Sequence, residues 1–387
     1  MAKKSNGMRS LVISIALVAL AFIGYLSVIN NGLTRDIAEL RDEVAALTAQ
    51  MNEQGETPLA EAQGSLNEST DQQSTRDVVL ARGTLIAGVN AALPGFGTLD
   101  TATGEFTGFD VDYARAIAAA LGLEIEFIPL TAGERFTALQ TRQIDVLVRN
   151  TTWTLTRDSQ DVAADFGPTT FYDGQGFIVR VADGIGSLLD MDGATVCVTS
   201  GTTTEGNLAD VFRQNGLELN TQVFSETEAS FGAYEAGACD CYTSDKSQLA
   251  SLRGSASNPA DHVILPDTIS KEPLGPLTRH GDNEWSDIVR WVVYATFFAE
   301  EHGITQANVR TFASEDPEVR RFLGLEAGLG AKLGLAEDWA IEVIAAVGNY
   351  GEIYDRHLGP NGLGIPRPGS LNALWIDGGL IYAPAWR

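Results

Sequence analysis

Ile144-Asp145-Val146-Leu147-Val148-Arg149-Asn150-Thr151-Thr152-Trp153-Thr154-Leu155-Thr156-Arg157 is the stretch that decides how this chain folds. Ile144 to Val148 have the length and branching of a buried strand. From Asn150 onward the segment is rich in hydroxyls and closes on Arg157. A guanidinium pairs with both oxygens of a carboxylate, and threonine hydroxyls and backbone N–H groups supply further donors. A second anion-friendly segment, Ser200-Gly201-Thr202-Thr203-Thr204-Glu205, follows the apolar run Ala194 to Val198 and precedes a helical stretch. Two such elements on separate strand–helix units predict one ligand held between two lobes.

Working outward, strands and helices alternate. Leu85 to Val89 reads as a first strand, followed by a helix capped by Asp110 and ended by Gly122. Glu124 to Leu130 reads as a strand, Arg135 to Arg142 as a helix, and Ile144 to Val148 as the third strand. This alternation predicts an α/β fold with a mainly parallel sheet. Phe177 to Val179 is the expected crossing into a second unit, with strands near Thr195, Gln222 and Cys241. His262 to Leu265 and the Pro-rich Ser270 to Leu277 are the expected return. Helices are expected over Trp285–Glu301, Asp316–Phe322 and Glu337–Arg356, before a Gly/Pro-rich but aromatic tail.

The N-terminus has a different character. Lys3, Lys4 and Arg9 precede Leu11 to Ile29, about nineteen uncharged residues, close to the length of a membrane-spanning helix. Positive charge before the span predicts an inside N-terminus and an exported body. Ala19-Leu20-Ala21 offers a signal-peptidase site, but the apolar run continues past it, which favours an uncleaved anchor. Leu33, Ile37, Leu40, Val44, Leu47 and Met51 then follow the spacing of a coiled-coil seam, on a stalk that is either a single solvated helix or a site of self-association. The expected division is a cytoplasmic tip and anchor (1–30), stalk (31–52), flexible linker (53–77), lobe 1 (78–179 and 271–323), lobe 2 (180–270) and a C-terminal extension packed on the body (324–387).

The net charge of −25 over 387 residues excludes nucleic acid as an expected partner. Three cysteines in an exported chain allow one disulfide. Cys239 and Cys241 share a strand face, so either can point at Cys197, and no histidine accompanies them to complete a metal site. No metal and no cofactor is expected.

Residues 88–96 (GVNAALPGF), 108–118 (GFDVDYARAIA), 134–158 (ERFTALQTRQIDVLVRNTTWTLTRD), 171–180 (FYDGQGFIVR), 200–210 (SGTTTEGNLAD), 239–253 (CDCYTSDKSQLASLR) and 269–276 (ISKEPLGP), with GNYGEIYDR (348–356), LNALW (371–375) and YAP (382–384), resemble the solute-binding proteins of polar amino acid ABC transporters. The resemblance covers roughly residues 80–387 and is nearest to their general L-amino acid binders. It implies a two-lobed type II periplasmic-binding fold with hinge crossings, an extracytoplasmic location, L-amino acids as ligands and ABC permease subunits as partners.

The resemblance also assigns roles. Arg157 would take the ligand α-carboxylate, helped by Thr152 and by the helix N-terminus at Thr202 and Thr203. Asp245, with Asn150 nearby, would take the α-ammonium. Asn90, Leu93 and Ala132 stand where selective relatives carry an acid and aromatic clamps, which predicts a pocket without a charge partner for the side chain and hence broad specificity. Phe96, Trp153 and Phe171 are expected apolar walls. Cys197 and Cys239 are the pair implied for the disulfide. Read without the resemblance, Thr202 and Asp245 equally suit helix caps and Arg157 a surface ion pair. The expected protein is not an enzyme. The rivals are a cyclohexadienyl (arogenate or prephenate) dehydratase on the same scaffold, which needs an acid or base such as Asp245, Glu205 or Glu134 over the ligand, and an amino-acid sensor acting on a partner protein.

Overall fold

The computed structural model of the protein describes residues 73–387. The expected anchor, stalk and most of the linker lie outside the described residues. No helix among the described residues is long and apolar enough to cross a membrane.

Helix α1 (Thr75–Arg82) leads into β1 (Thr84–Val89). The expected linker therefore ends earlier than residue 77. Asp282 accepts hydrogen bonds from Ser74 Oγ (3.0 Å) and the Thr75 N–H (2.6 Å), and Val79 is buried, so this segment is tied to the body. A small meander of β2 (Ala92–Leu93), β3 (Gly97–Asp100) and β4 (Glu105–Thr107) precedes helix α2 (Phe109–Leu121). Asp110 does not cap this helix. Gly108 holds the N-cap position with φ +144°, where a Cβ would meet Phe96 O at 2.2 Å, and Asp110 turns inward from the first turn. Then come β5 (Glu124–Pro129), α3 (Arg135–Gln140), β6 (Val146–Leu147) and β7 (Ala164–Phe166).

The chain leaves through β8 (Phe171–Asp173) and builds β9 (Gln175–Arg180), β10 (Thr195–Thr199), α4 (Thr203–Asn215), β11 (Asn220–Phe224), α5 (Thr227–Glu235), β12 (Cys241–Asp245), α6 (Lys246–Ser255) and β13 (His262–Ile264). It returns through β14 (Glu272–Leu274) to β15 (Leu277–Arg279) and the long α7 (Asn283–Glu301). Helices α8 (Pro317–Phe322), α9 (Leu329–Leu333), α10 (Trp339–Val347) and α11 (Tyr350–His357) follow.

Two five-stranded sheets result. The first has the order β5-β1-β6-β15-β7, with β1 parallel to β5 and β6 and with β15 antiparallel to both of its neighbours, β6 and β7. The second has the order β11-β10-β12-β9-β13, in which β10 is parallel to β11 and β12 while β9 runs antiparallel to β12 and β13. The chain crosses between them on β8 and β14, which pair with each other. The expected lobe boundary at 179/180 is thus displaced. Gln175 to Arg180 belong wholly to the second sheet, paired residue by residue with β12, and the change of sheet falls at Gly174. His262 to Ile264 likewise pair with β9 rather than crossing back.

The expected single helix over 337–356 is two helices. Gly348 sits at φ +86° and Asn349 starts a new helix through a reciprocal capping box with Glu352. This break lets α10 lie on α2 while Tyr350 and Tyr354 join the aromatic cluster of Phe109 and Phe171. The tail closes over the same core. Trp386 is buried among Trp291, Phe298, Phe322 and Trp339.

Candidate functional site

The carboxyl ends of the parallel strands of both sheets open onto one cleft, where ligands bind in open α/β sheets. Asn90 follows β1, Ala132 follows β5, and Asn150 and Thr152 follow β6. From the other side, Thr199 ends β10, Thr202 and Thr203 start α4, Thr227 starts α5, and Ser244 and Asp245 end β12. These residues, with Arg157, wall an inner chamber of about 30 Å³. An outer chamber of about 220 Å³ shares Asn90, Ala132, Arg149, Thr199 and Thr227 with it. Leu93, buried in the first core, reaches only the outer chamber.

The Thr-rich loop is held by the return crossing. Thr152 bridges to Leu274, the Trp153 N–H donates to Pro273 O at 2.8 Å, and the Gly275 N–H donates to Thr151 O at 3.2 Å. Arg157 folds back beneath this loop, donating from Nη1 to Thr152 O at 2.9 Å, with its guanidinium 5.2 Å from the Phe136 ring centre. It is 7 % exposed and forms no ion pair among the described residues, so the surface salt-bridge alternative does not apply. Asn150 takes φ +28°, its N–H donates to the Asp110 carboxylate at 2.6 Å, and its Oδ1 accepts from Asn90 at 3.1 Å.

Across the cleft, Thr202 is a true N-cap, its hydroxyl accepting from the Glu205 N–H at 3.3 Å. Thr203 is turned to the hinge, donating to Glu272 at 2.8 Å, and stands 3.5 Å from the Thr152 hydroxyl of the other lobe. Asp245 occupies the N-cap position of α6 but makes no capping bond; its Oδ1 is buried with no partner. Burial, then the neighbouring Asp173 and Glu272 carboxylates, hold the Asp245 carboxyl well above the ordinary carboxylate range. Burial also pushes Asp173 up to about 6, against hydrogen bonds from Ser247 and Gly174. The second lobe thus brings the Asp245 carboxyl to a cavity whose opposite wall carries Arg135, Arg149 and Arg157.

Three residues expected as apolar walls lie elsewhere. Phe96 and Phe171 are core, packed at 5.5 Å between ring centres, and Trp153 stacks on Phe166 with 43 % of its surface exposed. Two arginines are added. Arg135 and Arg149 are both buried and line the inner chamber. Arg135 donates to Gly201 O of the second lobe at 3.3 Å, and Arg149 donates from Nε to Leu130 O at 2.6 Å. The inner pocket therefore does hold fixed charge beyond Arg157 and Asp245. A hint was present in the sequence, since a cation directly after the buried run Val146–Val148 must find a destination for its charge.

Residues 85–360 match the bacterial extracellular solute-binding proteins, family 3. The chain belongs to this family. It is 50 % identical over 320 residues, 81 % of this chain and 94 % of the relative, to a glutamate/glutamine/aspartate/asparagine-binding protein of Rhodobacter capsulatus. It is also 50 % identical over 326 residues, 82 % of this chain and 94 % of the relative, to a general L-amino acid-binding periplasmic protein of Rhizobium johnstonii. Among solved structures, an ABC transporter periplasmic binding protein from Brucella ovis with glutathione bound is 48 % identical, with a TM-score of 0.78 over 81 % of this chain and 99 % of that one. Family membership makes this a solute-binding protein rather than an enzyme, built on the two-lobed fold whose sheets are described above. The histidines fit that role: His262 accepts or donates at Tyr234 (2.8 Å), His280 lies beside Asp165, His302 meets Phe298 O and His357 meets Asp112. The disulfide joins Cys197 to Cys239, and Cys241 is a buried thiol. Asp158, Asp165 and His280 have ligand atoms within 4.8 Å of one another, and none of the three lines the cleft chambers.

Proposed function

We propose that this protein is the extracytoplasmic receptor of an ABC-type amino acid importer, closing its two lobes on L-α-amino acids of many kinds. The observation that carries the reading is the pair Arg157 and Asp245. A buried guanidinium and a buried, unpartnered carboxyl oxygen face one chamber from opposite lobes. A zwitterion offers each its complement, the α-carboxylate to Arg157 with Thr152 and the α4 N-terminus, the α-ammonium to Asp245. A ligand that touches both lobes favours the closed form through its differential affinity, with β8 and β14 as the hinge. Residues 11–29 would tether the receptor to the membrane beside its permease, raising its effective concentration, and the 33–51 seam would bring copies together. The names of the Rhodobacter and Rhizobium relatives support amino acids as the ligand class.

Calorimetric titration of the full chain, stripped of ligand by unfolding and refolding, against the twenty L-amino acids tests this. Binding of many amino acids at micromolar or tighter affinity, lost in Arg157→Ala, is the expected result. Asp245 adds a signature. Burial shifts its carboxyl toward the protonated form and an ammonium draws it to the ionised one, so binding releases protons and affinity falls as pH falls. Asp245→Asn should weaken binding and abolish that dependence. Absence of amino acid binding in the wild-type protein would reject the reading.

A further inference from the structure

The inner chamber holds two cations beyond Arg157, and of these Arg135 reaches across to Gly201 O of the second lobe while the Arg149 side chain makes no hydrogen bond to that lobe among the described residues. Arg157 and Asp245 serve the two charged groups that every α-amino acid carries, but Arg149 stands on the wall shared by the inner and outer chambers. It is 6 % exposed, and the only hydrogen bond of its side chain among the described residues runs from Nε to the Leu130 carbonyl. Its two terminal nitrogens have no hydrogen-bond partner, and no carboxylate lies within ion-pair distance of it among the described residues. The charged groups around it are Asp110 beneath, Glu226 and Glu134 on the outer side, and Arg157 within. Burial brings its ionisation down only to about 10, so it is cationic at neutral pH.

A buried guanidinium that no carboxylate contacts is costly to keep, even with acids at longer range. Arg149 is therefore built for an anion that arrives from outside the fold. The inner chamber is too small to enclose a long side chain, so a side chain must run past Ala132 and Arg149 toward the outer chamber. We propose that Arg149 forms a second anion subsite, which takes the distal carboxylate of an acidic amino acid such as glutamate. The fork can donate two parallel hydrogen bonds to that carboxylate and one to the corresponding amide oxygen. Broad binding then carries a preference order: acidic side chains first, their amides next, apolar side chains last. The inference rests on the amino-acid receptor reading above and assigns its side-chain selectivity.

The test compares L-glutamate with L-norvaline, which has the same chain length and no distal carboxylate, by titration of the full chain. In the wild-type protein glutamate should bind at least tenfold more tightly. In Arg149→Met the glutamate affinity should fall by about thirtyfold or more, the loss of a charge-assisted pair, while norvaline binding changes by less than about threefold. Norvaline binding also reports that the variant has folded. Arg149→Lys, which keeps the charge but not the fork, should fall between the two for glutamate alone. Equal losses for both ligands, or an unchanged glutamate preference, would overturn the assignment. Wild-type protein that binds norvaline as well as glutamate would overturn it and leave the receptor reading standing; wild-type protein that binds neither would end both.

Discussion

Asp110 offers the sharpest test of the electrostatics described here. It lies 3 % exposed in the first turn of α2, and its carboxylate accepts the Asn150 N–H at 2.6 Å. Burial raises its ionisation from 3.8 to about 7, against the Asn150 hydrogen bond and the Arg149 charge. The folded state thus binds this proton more tightly than the unfolded chain. Stability contributed by this residue is greatest below about pH 4, declines as pH rises between the two values, and levels off above about 7. At 1.36 kcal/mol per decade the cost of carrying the charge at pH 8 is about 4 kcal/mol. The helix N-terminus returns up to about 2 kcal/mol of that. Asp110→Asn keeps an oxygen to accept the Asn150 N–H and removes the charge. It should therefore stabilise the protein by about 2 kcal/mol at pH 8, with a gain that shrinks toward zero only at about pH 3, below the unfolded-state value. Urea unfolding of the wild-type and variant chains at both pH values measures this. A variant less stable than wild type at pH 8, or a difference independent of pH, would refute the reasoning and make Asp110 an anion whose hydrogen bond and helix dipole outweigh its burial.

Two further outcomes follow from packing and covalent structure. Trp386→Ala removes a ring centred 5.1 to 5.9 Å from Trp291, Phe298, Phe322 and Trp339, and should cost about 3–5 kcal/mol in chemical unfolding; a loss under about 1 kcal/mol would mean the tail contributes little to the core. The Cys197–Cys239 bridge closes a separation of 42 residues, so the Cys197→Ser/Cys239→Ser double variant should lose about 4 kcal/mol on the chain-entropy estimate, measured by guanidinium unfolding; an unchanged midpoint would place the bridge's effect in the native state or nowhere.

The alternating strands and helices were legible because each is written locally: the branched run before Asn150, the helix-ending Gly122, the apolar face of α7. The Asn150–Arg157 loop was legible for the same reason, since its donors are contiguous in the chain. The lobe boundary was not. Whether Gln175 to Arg180 crosses a hinge or joins a sheet is decided by pairing with Cys241 to Asp245, more than sixty residues away, and an extended apolar strand looks the same in either setting. The break between α10 and α11 is written in the sequence as Asn349 with Glu352 three residues on, a capping signature masked by an otherwise continuous apolar period.

The pocket's charge was the hardest feature to read, and its cause is tertiary. Sequence positions 90, 93 and 132 carry no ionisable side chain, which suggested a cavity indifferent to ligand charge. The cavity wall is instead charged by Arg135 from a helix and Arg149 from a strand end, whose guanidinium groups enter it only because β5 and β6 flank β1 and turn their carboxyl ends to one side. A surface arginine and a buried one are the same letter. What separates them is the absence of a carboxylate within ion-pair distance, and that absence exists only once the strands are assembled. The acids at the hinge and on the second sheet make the same point. Asp173 lies on a hinge strand and Asp245 on a sheet strand, 72 positions apart, yet the Asp245 carboxyl is held above its ordinary range because folding buries it and then brings Asp173 and Glu272 beside it. In the receptor proposed above, selectivity would be a property of the assembled lobes: they set Arg135, Arg149 and Arg157 against Asp245 across one small chamber, and a ligand would be recognised by how fully its own charges resolve that opposition.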